Sequence, residues 1–530
     1  MVWAIVLIAA ILRLFPVWFG LPYLGARPDE ETAVAHALAI LDGDPNPHFF
    51  HWPSLTFYAF AALYGVAGGL RRLLSLDPAL TAEHHLLIAR TFVALAGTLT
   101  IAVLFTLARR VAGETAGALA AAFLAVAILH VRESHFAMTD VLMTLLVTLS
   151  LALILRGLDT AMAAADGAGG GAWFAAAGLA GGLAASTKYS AAAIIAALGA
   201  AQLLCLLPWP KNALRWRGWI PSVLFLAAFA FGFIAATPYA LLDFAKFETD
   251  LRYDFTHLSG GHNVNLGRGW RYHLTHSLPY GAGVTIFIAA ATGIVPFVRH
   301  SSRHAFVVGA FAVAFYASIG SGYTVFFRYI LPLVPIVCLL AAIGVRHGAP
   351  WLASRAGWPH GAALGVLAVL AGAPALVYSA WFDVLLARTD TRVLAARWLA
   401  PRVNAGESLH ESGAAYVALD LSDARLHYWG FDAATRSFGD PDGRTPDWLV
   451  LQQSPLWTYT RVAPELRQLA AERYDLVQTV RASTGRARSA VYDLQDAFFM
   501  PLSGFHTVER PGPTILIYRR RDAPPMAEDR

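Results

Sequence analysis

Residues 27–31 read Arg27-Pro28-Asp29-Glu30-Glu31 and follow the first apolar run of the chain, residues 1–20. Further apolar runs recur after this stretch, which places it just outside a predicted membrane. An acidic pair just outside a membrane is well placed to do chemistry on one face of the bilayer. The stretch therefore predicts a carboxylate pair on one face of a bilayer, where it can act on a substrate at the membrane surface.

A second polar cluster interrupts the apolar pattern at residues 130–140, which read HVRESHFAMTD. Like the first, it falls between two apolar runs, where two predicted helices meet. Two such clusters in a polytopic chain favour a membrane-embedded enzyme. They fit a transporter or a structural protein less well.

The composition divides the chain into two parts. Of 530 residues, 57% are hydrophobic and 14% charged, whereas soluble domains carry about 25% charged residues. Apolar runs of helical length continue to residue 382, and the remainder is typical of a soluble protein. We therefore predict a polytopic membrane domain over residues 1–382 and a soluble domain over residues 383–530.

The apolar runs predict about eleven transmembrane helices. Small residues such as those at 178–182 (GLAGG) favour close packing between helices in lipid. A twelfth apolar stretch, residues 53–70, is ambiguous. If Asp29 and Asp140 act at one site, an even number of crossings separates them, so this stretch is predicted to be a re-entrant or surface helix.

The placement of Lys and Arg predicts the orientation. Basic residues are denser in the loops that contain Arg109, Arg110, Arg299 and Arg303 than in the opposite loops. Since cytoplasmic loops are rich in Lys and Arg, these loops are predicted to be cytoplasmic. The acidic clusters and the soluble domain are then extracytoplasmic, and we expect a multi-pass protein of the cell (inner) membrane.

Several polar residues of the predicted external face are candidates for chemistry. Asp29 and Glu30 precede a helix, where they would complement its dipole, or one of them is a base that deprotonates an acceptor hydroxyl. Glu133 and His135 crowd the second cluster and are candidate substrate contacts. No His repeat accompanies them, so no metal site is predicted. Asp140 begins a helix and is a candidate N-cap.

Two cations at predicted helix ends are candidate phosphate ligands. Lys188 lies between two apolar helices, and Arg328 precedes another. A lipid phosphate is a natural partner for such charges, although both side chains could instead anchor at the membrane interface. His262 lies in a Gly-Gly-His-Asn turn of the third external segment and is a further candidate substrate contact.

The remaining signals exclude other classes. Cys205 and Cys338 both lie inside apolar runs, so neither a disulfide framework nor a cysteine metal site is predicted. The net charge of +5 lacks a basic stripe and fits contact with anionic lipid headgroups, not nucleic acid.

The order of these motifs resembles that of the GT-C membrane glycosyltransferases, which use a polyprenyl-phosphate sugar. The similarity is to protein O-mannosyltransferases and lipid A aminoarabinose transferases and covers about residues 1–345. The matching stretches are residues 27–30 (RPDE), 134–140 (SHFAMTD), 186–189 (STKY) and 328–332 (RYILP).

This resemblance implies a catalytic acid in the first external segment, which corresponds to Asp29 or Glu30, and a second external acid, which corresponds to Asp140. Some relatives have a phosphate-binding lysine where this chain has Trp52. We therefore expect Lys188 and Arg328 to replace it.

The sequence as a whole predicts a glycosyltransferase that moves a sugar from a polyprenyl-phosphate donor to an extracytoplasmic glycan, lipid or protein, with inversion. No cofactor is required, and a divalent metal is compatible with the pattern but not predicted. The alternatives are a transporter or flippase of lipid-linked sugars, which should have charges near the bilayer midplane, and a non-catalytic scaffold. The soluble domain alternates strand-like runs (448–451 and 514–518) with helical runs (392–399 and 463–472) and is predicted to be α/β.

Overall fold

The computed structural model describes residues 2–164, 169–207, 216–413, 415–421, 426–440, 443–485 and 489–526. Its contacts divide the chain into two compact units. The membrane unit comprises Met1–Val17 and Asp29–Ala380, and the sheet unit comprises Trp18–Pro28 and Trp381–Arg530. Sequence analysis assigned residues 18–28 to the membrane domain, whereas their contacts lie with the sheet unit.

Helices form the regular secondary structure of the membrane unit over its described residues. Its α-helices are α1 Val2–Leu14, α2 Glu30–Leu41, α3 Leu55–Leu73, α4 Ala82–Ala112, α5 Glu114–Val126, α6 Ile128–Glu133, α7 Asp140–Ala163, α8 Gly171–Ala185, α9 Ile194–Leu206, α10 Ile220–Ala236, α11 Tyr239–Leu242, α12 Phe244–Gly260, α13 Gly269–Tyr272, α14 Leu278–Ala282, α15 Val284–His300, α16 Ser302–Gly320, α17 Val334–Ala356 and α18 His360–Leu386. Short 3₁₀ helices, Tyr189–Ala193 and Phe327–Leu333, precede α9 and α17.

The described helices confirm a multi-pass membrane protein but not the predicted count of eleven spans. Seven are long and apolar enough to cross a membrane, and a bent pair, Gly269–Ala282 with Val284–His300, makes eight. The remaining predicted runs form shorter apolar helices, α1, α5 and α8, of 13, 13 and 15 residues. At 1.5 Å per residue, such helices are shorter than the roughly 30 Å hydrocarbon core. The surface or re-entrant placement of α3 stays a prediction, and α3 is not among the candidate spans.

Glycines bring neighbouring helices together, as the small residues at 178–182 predicted. A Cβ atom on Gly178 or Gly182 of α8 would collide with the carbonyl oxygen of Phe225 or Phe229 on α10. Backbones this close gain dispersion contacts that larger residues would prevent.

The sheet unit is a small α/β fold. Its elements are α19 Thr391–Leu399, α20 Pro464–Arg473, β1 Ser408–Glu411, β2 His427–Tyr428, β3 Phe431–Asp432, β4 Ser437–Phe438, β5 Trp448–Gln453, β6 Tyr474–Val480 and β7 Thr514–Arg520. The main sheet has the order β2-β1-β5-β7-β6, in which β1 pairs in parallel with β2 and β5, and β7 pairs antiparallel with β5 and β6.

Helices cover both faces of this sheet. Side chains alternate between the two faces along β5, and both sets are apolar. Trp448 and Val450 pack with Leu399 of α19 on one face. Leu449 and Leu451 pack with residues of α20 on the other face. The predicted strand runs 448–451 and 514–518 lie within β5 and β7.

Candidate active site

Asp29 and Arg328 form an ion pair in the membrane unit. Arg328 Nη2 lies 3.2 Å from Asp29 Oδ2, and the two side chains are 9% and 31% exposed. Asp29 occupies the N-cap position of α2 with a left-handed backbone (φ 73°), and its side chain makes no cap hydrogen bond. Its carboxylate is therefore directed toward Arg328 and partly open to solvent.

Asp140 and Lys188 form a second ion pair. Lys188 Nζ donates to Asp140 Oδ1 at 2.6 Å, and the side chains are 21% and 1% exposed. Asp140 is the first residue of α7, and Lys188 precedes the 3₁₀ helix at Tyr189–Ala193. Among the described residues, Asp140 Oδ2 is buried and has no hydrogen-bond partner. This oxygen is an acceptor that a bound hydroxyl could satisfy.

Tyr329 links the two ion pairs. It follows Arg328 in the chain, and Lys188 Nζ lies 4.5 Å from the centroid of its ring. Residues from four separate parts of the sequence therefore converge on one site, which holds two carboxylates and two cations.

The segment before α3 fixes the loop that carries Lys188. Leu55 N donates to Ser186 O at 3.0 Å, and the Tyr189 hydroxyl donates to Phe50 O at 2.7 Å. Trp52, the position at which some relatives have lysine, packs its ring against those of Phe49 and Phe57. Lys188, the cation expected to replace that lysine, lies in the loop after α8.

Glu30, the alternative base, is fully buried. Arg90 of α4 donates to both of its oxygens, from Nε at 2.9 Å and from Nη2 at 2.6 Å. The backbone N–H of Ala137 donates to Oε1 at 2.7 Å. A carboxylate held in this way joins α2, α4 and the turn before α7, so the geometry favours Asp29 as the base.

Glu133 and His135 are also fully buried. The two ring nitrogens of His135 lie 2.9 Å from the carbonyl oxygens of Val131 and Phe15. Glu133 Oε1 lies 3.3 Å from Arg132 Nη1. These contacts hold the turn between α6 and α7, and they do not support the predicted direct contact of either side chain with substrate.

His262 lies within a row of rings that reaches Arg328. In this ring row, the centroid distances are 5.0 Å for His51–Tyr253, 5.9 Å for Tyr253–His257, 5.3 Å for His257–His262 and 5.1 Å for His262–Phe326. The Arg328 guanidinium lies 4.4 Å from the Phe326 centroid. The row connects the segment before α3 with the ion pair at Asp29, and the substrate contact of His262 stays a prediction.

The charge state varies along this row. Asp254 Oδ1 lies 2.9 Å from His51 Nδ1, and this hydrogen bond raises the pKa of His51. Burial lowers the pKa of His257, which favours its neutral form. One end of the row is therefore biased toward an imidazolium and its middle toward a neutral ring.

The described residues contain no group of three or more His, Cys, Asp or Glu side chains that could hold a metal ion. Cys205 and Cys338 are both buried and free.

Sequence analysis missed two contributors to the site. Tyr329 lies within the RYILP stretch, but an aromatic residue among aromatic neighbours carries no distinctive sequence signal of a functional role. Arg90 did have a signal, since it is a lone charge inside an apolar run.

The comparisons with known proteins agree with this architecture. The family model for dolichyl-phosphate-mannose-protein mannosyltransferases matches residues 56–249. The structure of ArnT from Cupriavidus metallidurans bound to undecaprenyl phosphate is 18% identical, with a TM-score of 0.50, over 97% of this chain and 98% of that chain. This chain has the GT-C fold.

This chain also resembles the oligosaccharyltransferase of Archaeoglobus fulgidus, over part of the length of each protein. The form tethered to an acceptor peptide is 14% identical, with a TM-score of 0.50, over 75% of this chain and 57% of that one. The apo form is 13% identical, with a TM-score of 0.49, over 77% of this chain and 62% of that one. The chain thus spans about three fifths of the archaeal enzyme. No curated protein matches the sequence of this GT-C chain.

The resemblance predicted from the motifs is therefore confirmed. The roles of individual site residues stay predictions.

Proposed function

We propose that this chain is a membrane glycosyltransferase that transfers a sugar from a polyprenyl-phosphate donor to an extracytoplasmic acceptor, with inversion. The observation that carries the proposal is the convergence of the Asp29–Arg328 and Asp140–Lys188 pairs around Tyr329. The match of residues 56–249 to the family of dolichyl-phosphate-mannose-protein mannosyltransferases supports it. The fold shared with ArnT, which was solved with bound undecaprenyl phosphate, supports it as well.

Asp29 acts as the general base. Its carboxylate takes the proton from the acceptor hydroxyl while the acceptor oxygen forms a bond to the anomeric carbon. The bond between that carbon and the phosphate oxygen breaks, and the polyprenyl phosphate leaves with the bonding electrons. Attack opposite to the leaving group inverts the anomeric centre.

Arg328 and Lys188 hold the leaving phosphate. In the structure each cation is paired with a carboxylate, so the donor phosphate competes for cations that are already in place. Charge-assisted contacts to phosphate are strong, and a guanidinium can bind two of its oxygens. When the donor phosphate binds Arg328, the ion pair with Asp29 breaks, and the Asp29 carboxylate can contact the acceptor hydroxyl. The base is thus freed only after the donor has bound.

Asp140 orients Lys188 through Oδ1 and keeps Oδ2 for a hydroxyl of the donor sugar. Two cations stabilise the charge that develops on a monophosphate leaving group, so the reaction requires no metal or other cofactor. The ring row that ends at Phe326 offers His262 and Tyr253 to the acceptor.

The partners are the lipid-linked sugar, an extracytoplasmic acceptor and the surrounding membrane lipids, with no role for nucleic acid. The site and the sheet unit face outward from the inner membrane. The transporter alternative finds no support among the comparisons, and the four charged residues of the candidate site lie at or next to helix ends.

The proposal is tested by binding of undecaprenyl phosphate to the purified full chain in detergent. Lys188→Ala and Arg328→Ala should each weaken binding about tenfold or more, since a charged hydrogen bond contributes about 1.5–3 kcal/mol. Asp29→Asn should leave binding intact or tighten it, because Arg328 loses its competing partner. Arg252→Ala removes an exposed cation of α12 and should have no effect.

If the unaltered chain does not bind undecaprenyl phosphate, the lipid-donor mechanism is wrong. If it binds and neither cation matters, both are interfacial anchors and the phosphate site lies elsewhere.

A further inference from the structure

The chain that leads into Asp29 is held by residues from the C-terminal part of the sequence. Arg27 is fully buried in the sheet unit, and its Nη1 donates to Asp496 Oδ1 at 2.7 Å. Its guanidinium lies 5.7 Å from the centroid of Phe498, whose ring also packs against Phe19 at 6.1 Å. A charge removed from water in this way is stable only with its partner in place.

Arg392 of α19 holds the residues just before Arg27. It is buried and fixed by Asp390, which accepts from Nε at 2.9 Å and from Nη2 at 2.7 Å. Its guanidinium contacts the carbonyl oxygens of Gly25 and Ala26, at 3.5 and 3.4 Å. The side chains of Arg392 and Asp496 therefore contact three successive residues, Gly25, Ala26 and Arg27. Each partner lies more than 360 positions later in the sequence.

Asp29 needs this restraint because of its backbone. Its φ of 73° is disfavoured for a residue with a Cβ, and its own side chain accepts no capping hydrogen bond from α2. Such a conformation persists only where flanking contacts determine it. On the C-terminal side, Arg90 fixes Glu30. On the N-terminal side, Asp496 fixes Arg27, two residues before Asp29.

We propose that Arg27 and Asp496 form a positioning pair. Through this pair, the sheet unit holds the backbone just before Asp29 and so sets the conformation of Asp29. The proposal rests on the proposed function of Asp29 as the base. The positioning pair gives the sheet unit a role in the reaction without any contact between this unit and the substrate. Arg392 supports the same segment from its backbone side.

The test compares two matched substitutions in the full chain. Arg27→Gln breaks the positioning pair. Arg519→Gln breaks a buried pair of the same kind in the same unit, in which Arg519 Nη2 lies 2.7 Å from Glu407 Oε1 and the guanidinium lies 4.4 Å from the Trp448 ring. Each variant is assayed for undecaprenyl phosphate binding, for amide hydrogen exchange in residues 29–41, and for restoration of the glycosylated product in a strain that lacks the chain.

Arg27→Gln should bind undecaprenyl phosphate within twofold of the unaltered chain, form product at least tenfold more slowly and exchange faster at the start of α2. Asp496→Asn should match it, the double variant should be no worse, and Arg27→Lys should recover part of the rate. Arg519→Gln should leave product formation and exchange in residues 29–41 unchanged.

Equal losses in Arg27→Gln and Arg519→Gln would mean that the pair is merely structural. A normal rate in Arg27→Gln would also overturn the proposal. Failure of the unaltered chain to bind undecaprenyl phosphate or to form product would instead count against the proposed function.

Discussion

Two adjacent carboxylates in this chain have opposite environments. Asp29 is partly exposed and shares one contact with Arg328, whereas Glu30 is buried and accepts three hydrogen bonds from Arg90 and Ala137. A base must reach the acceptor hydroxyl and change its protonation state during the reaction. Only Asp29 has the freedom to do so.

We expect Asp29→Asn to lower the transfer rate at least about 10²-fold, the lower end of general-base contributions. The amide is nearly isosteric and cannot take the proton, so folding should be preserved. Product formation in a strain that lacks the chain measures the effect. Asp42→Asn, at the exposed end of α2, is the matched control and should be neutral. Near-normal turnover in Asp29→Asn would reject Asp29 as the base.

Glu411, at the end of β1, predicts a pH dependence of stability in the sheet unit. Burial raises the pKa of Glu411 from 4.5 to about 7. Between these values the folded state holds a proton that the unfolded state has lost, so stability falls as pH rises from about 4.5 to 7. The loss is on the order of 3 kcal/mol, at about 1.4 kcal/mol per pKa unit.

Glu411→Gln should remove this dependence and raise the unfolding temperature at pH 7.5 more than at pH 5. Thermal unfolding of the purified chain, followed by tryptophan fluorescence, measures the difference. An equal shift at both pH values would show that Glu411 is not the titrating group.

At the scale of elements, one buried ion pair fixes the start of α2. Glu30 receives Arg90 from α4 and the N–H of Ala137 from the turn before α7. Arg90 Nη1 also donates to Val17 O at 3.0 Å, so the same guanidinium reaches the chain beyond α1. These contacts join α4 to the chain beyond α1 and to the start of α2, and join α2 to the turn before α7, next to Asp29 and Asp140.

Glu30→Gln should destabilise the membrane unit, because breaking a buried ion pair costs about 3–5 kcal/mol. Arg90→Met should have a similar effect, and the double variant should lose less than the sum of the two. Thermal unfolding in detergent measures all three. A Glu30→Gln variant that unfolds normally but loses activity as fully as Asp29→Asn would make Glu30 the base.

At the scale of the whole molecule, the orientation stays a prediction with a direct test. Cysteines at Ser75 and Gln468 should react with an impermeant external thiol reagent, and a cysteine at Ser302 should not. All three positions are exposed, and the native Cys205 and Cys338 are buried and should give little background. Ser408, although in the same domain as Gln468, is buried in β1 and unsuited to labelling. Reaction of the Gln468 cysteine only from the cytoplasmic side would reverse the predicted orientation.

Periodicity and composition predicted the long apolar helices and part of the sheet. Apolar runs are local, and their length and alternation predicted the membrane helices and the strands β5 and β7 within a few residues. The motifs also predicted the candidate residues Asp29, Asp140, Lys188 and Arg328. The number of spans could not be settled in this way, because α1, α5 and α8 end sooner than their apolar runs.

The sequence alone determined a helical membrane protein of GT-C type with a C-terminal α/β region, because apolar length and residue order are properties of the linear chain. Only the tertiary structure decided which charges pair. Lone cations in apolar runs look alike in sequence, yet Arg13 bonds to backbone carbonyls, Arg90 fixes Glu30, and Lys188 and Arg328 meet at Tyr329. The hold on residues 25–27 also needs partners more than 360 positions away. Pairing depends on distances in space, which a local pattern does not specify.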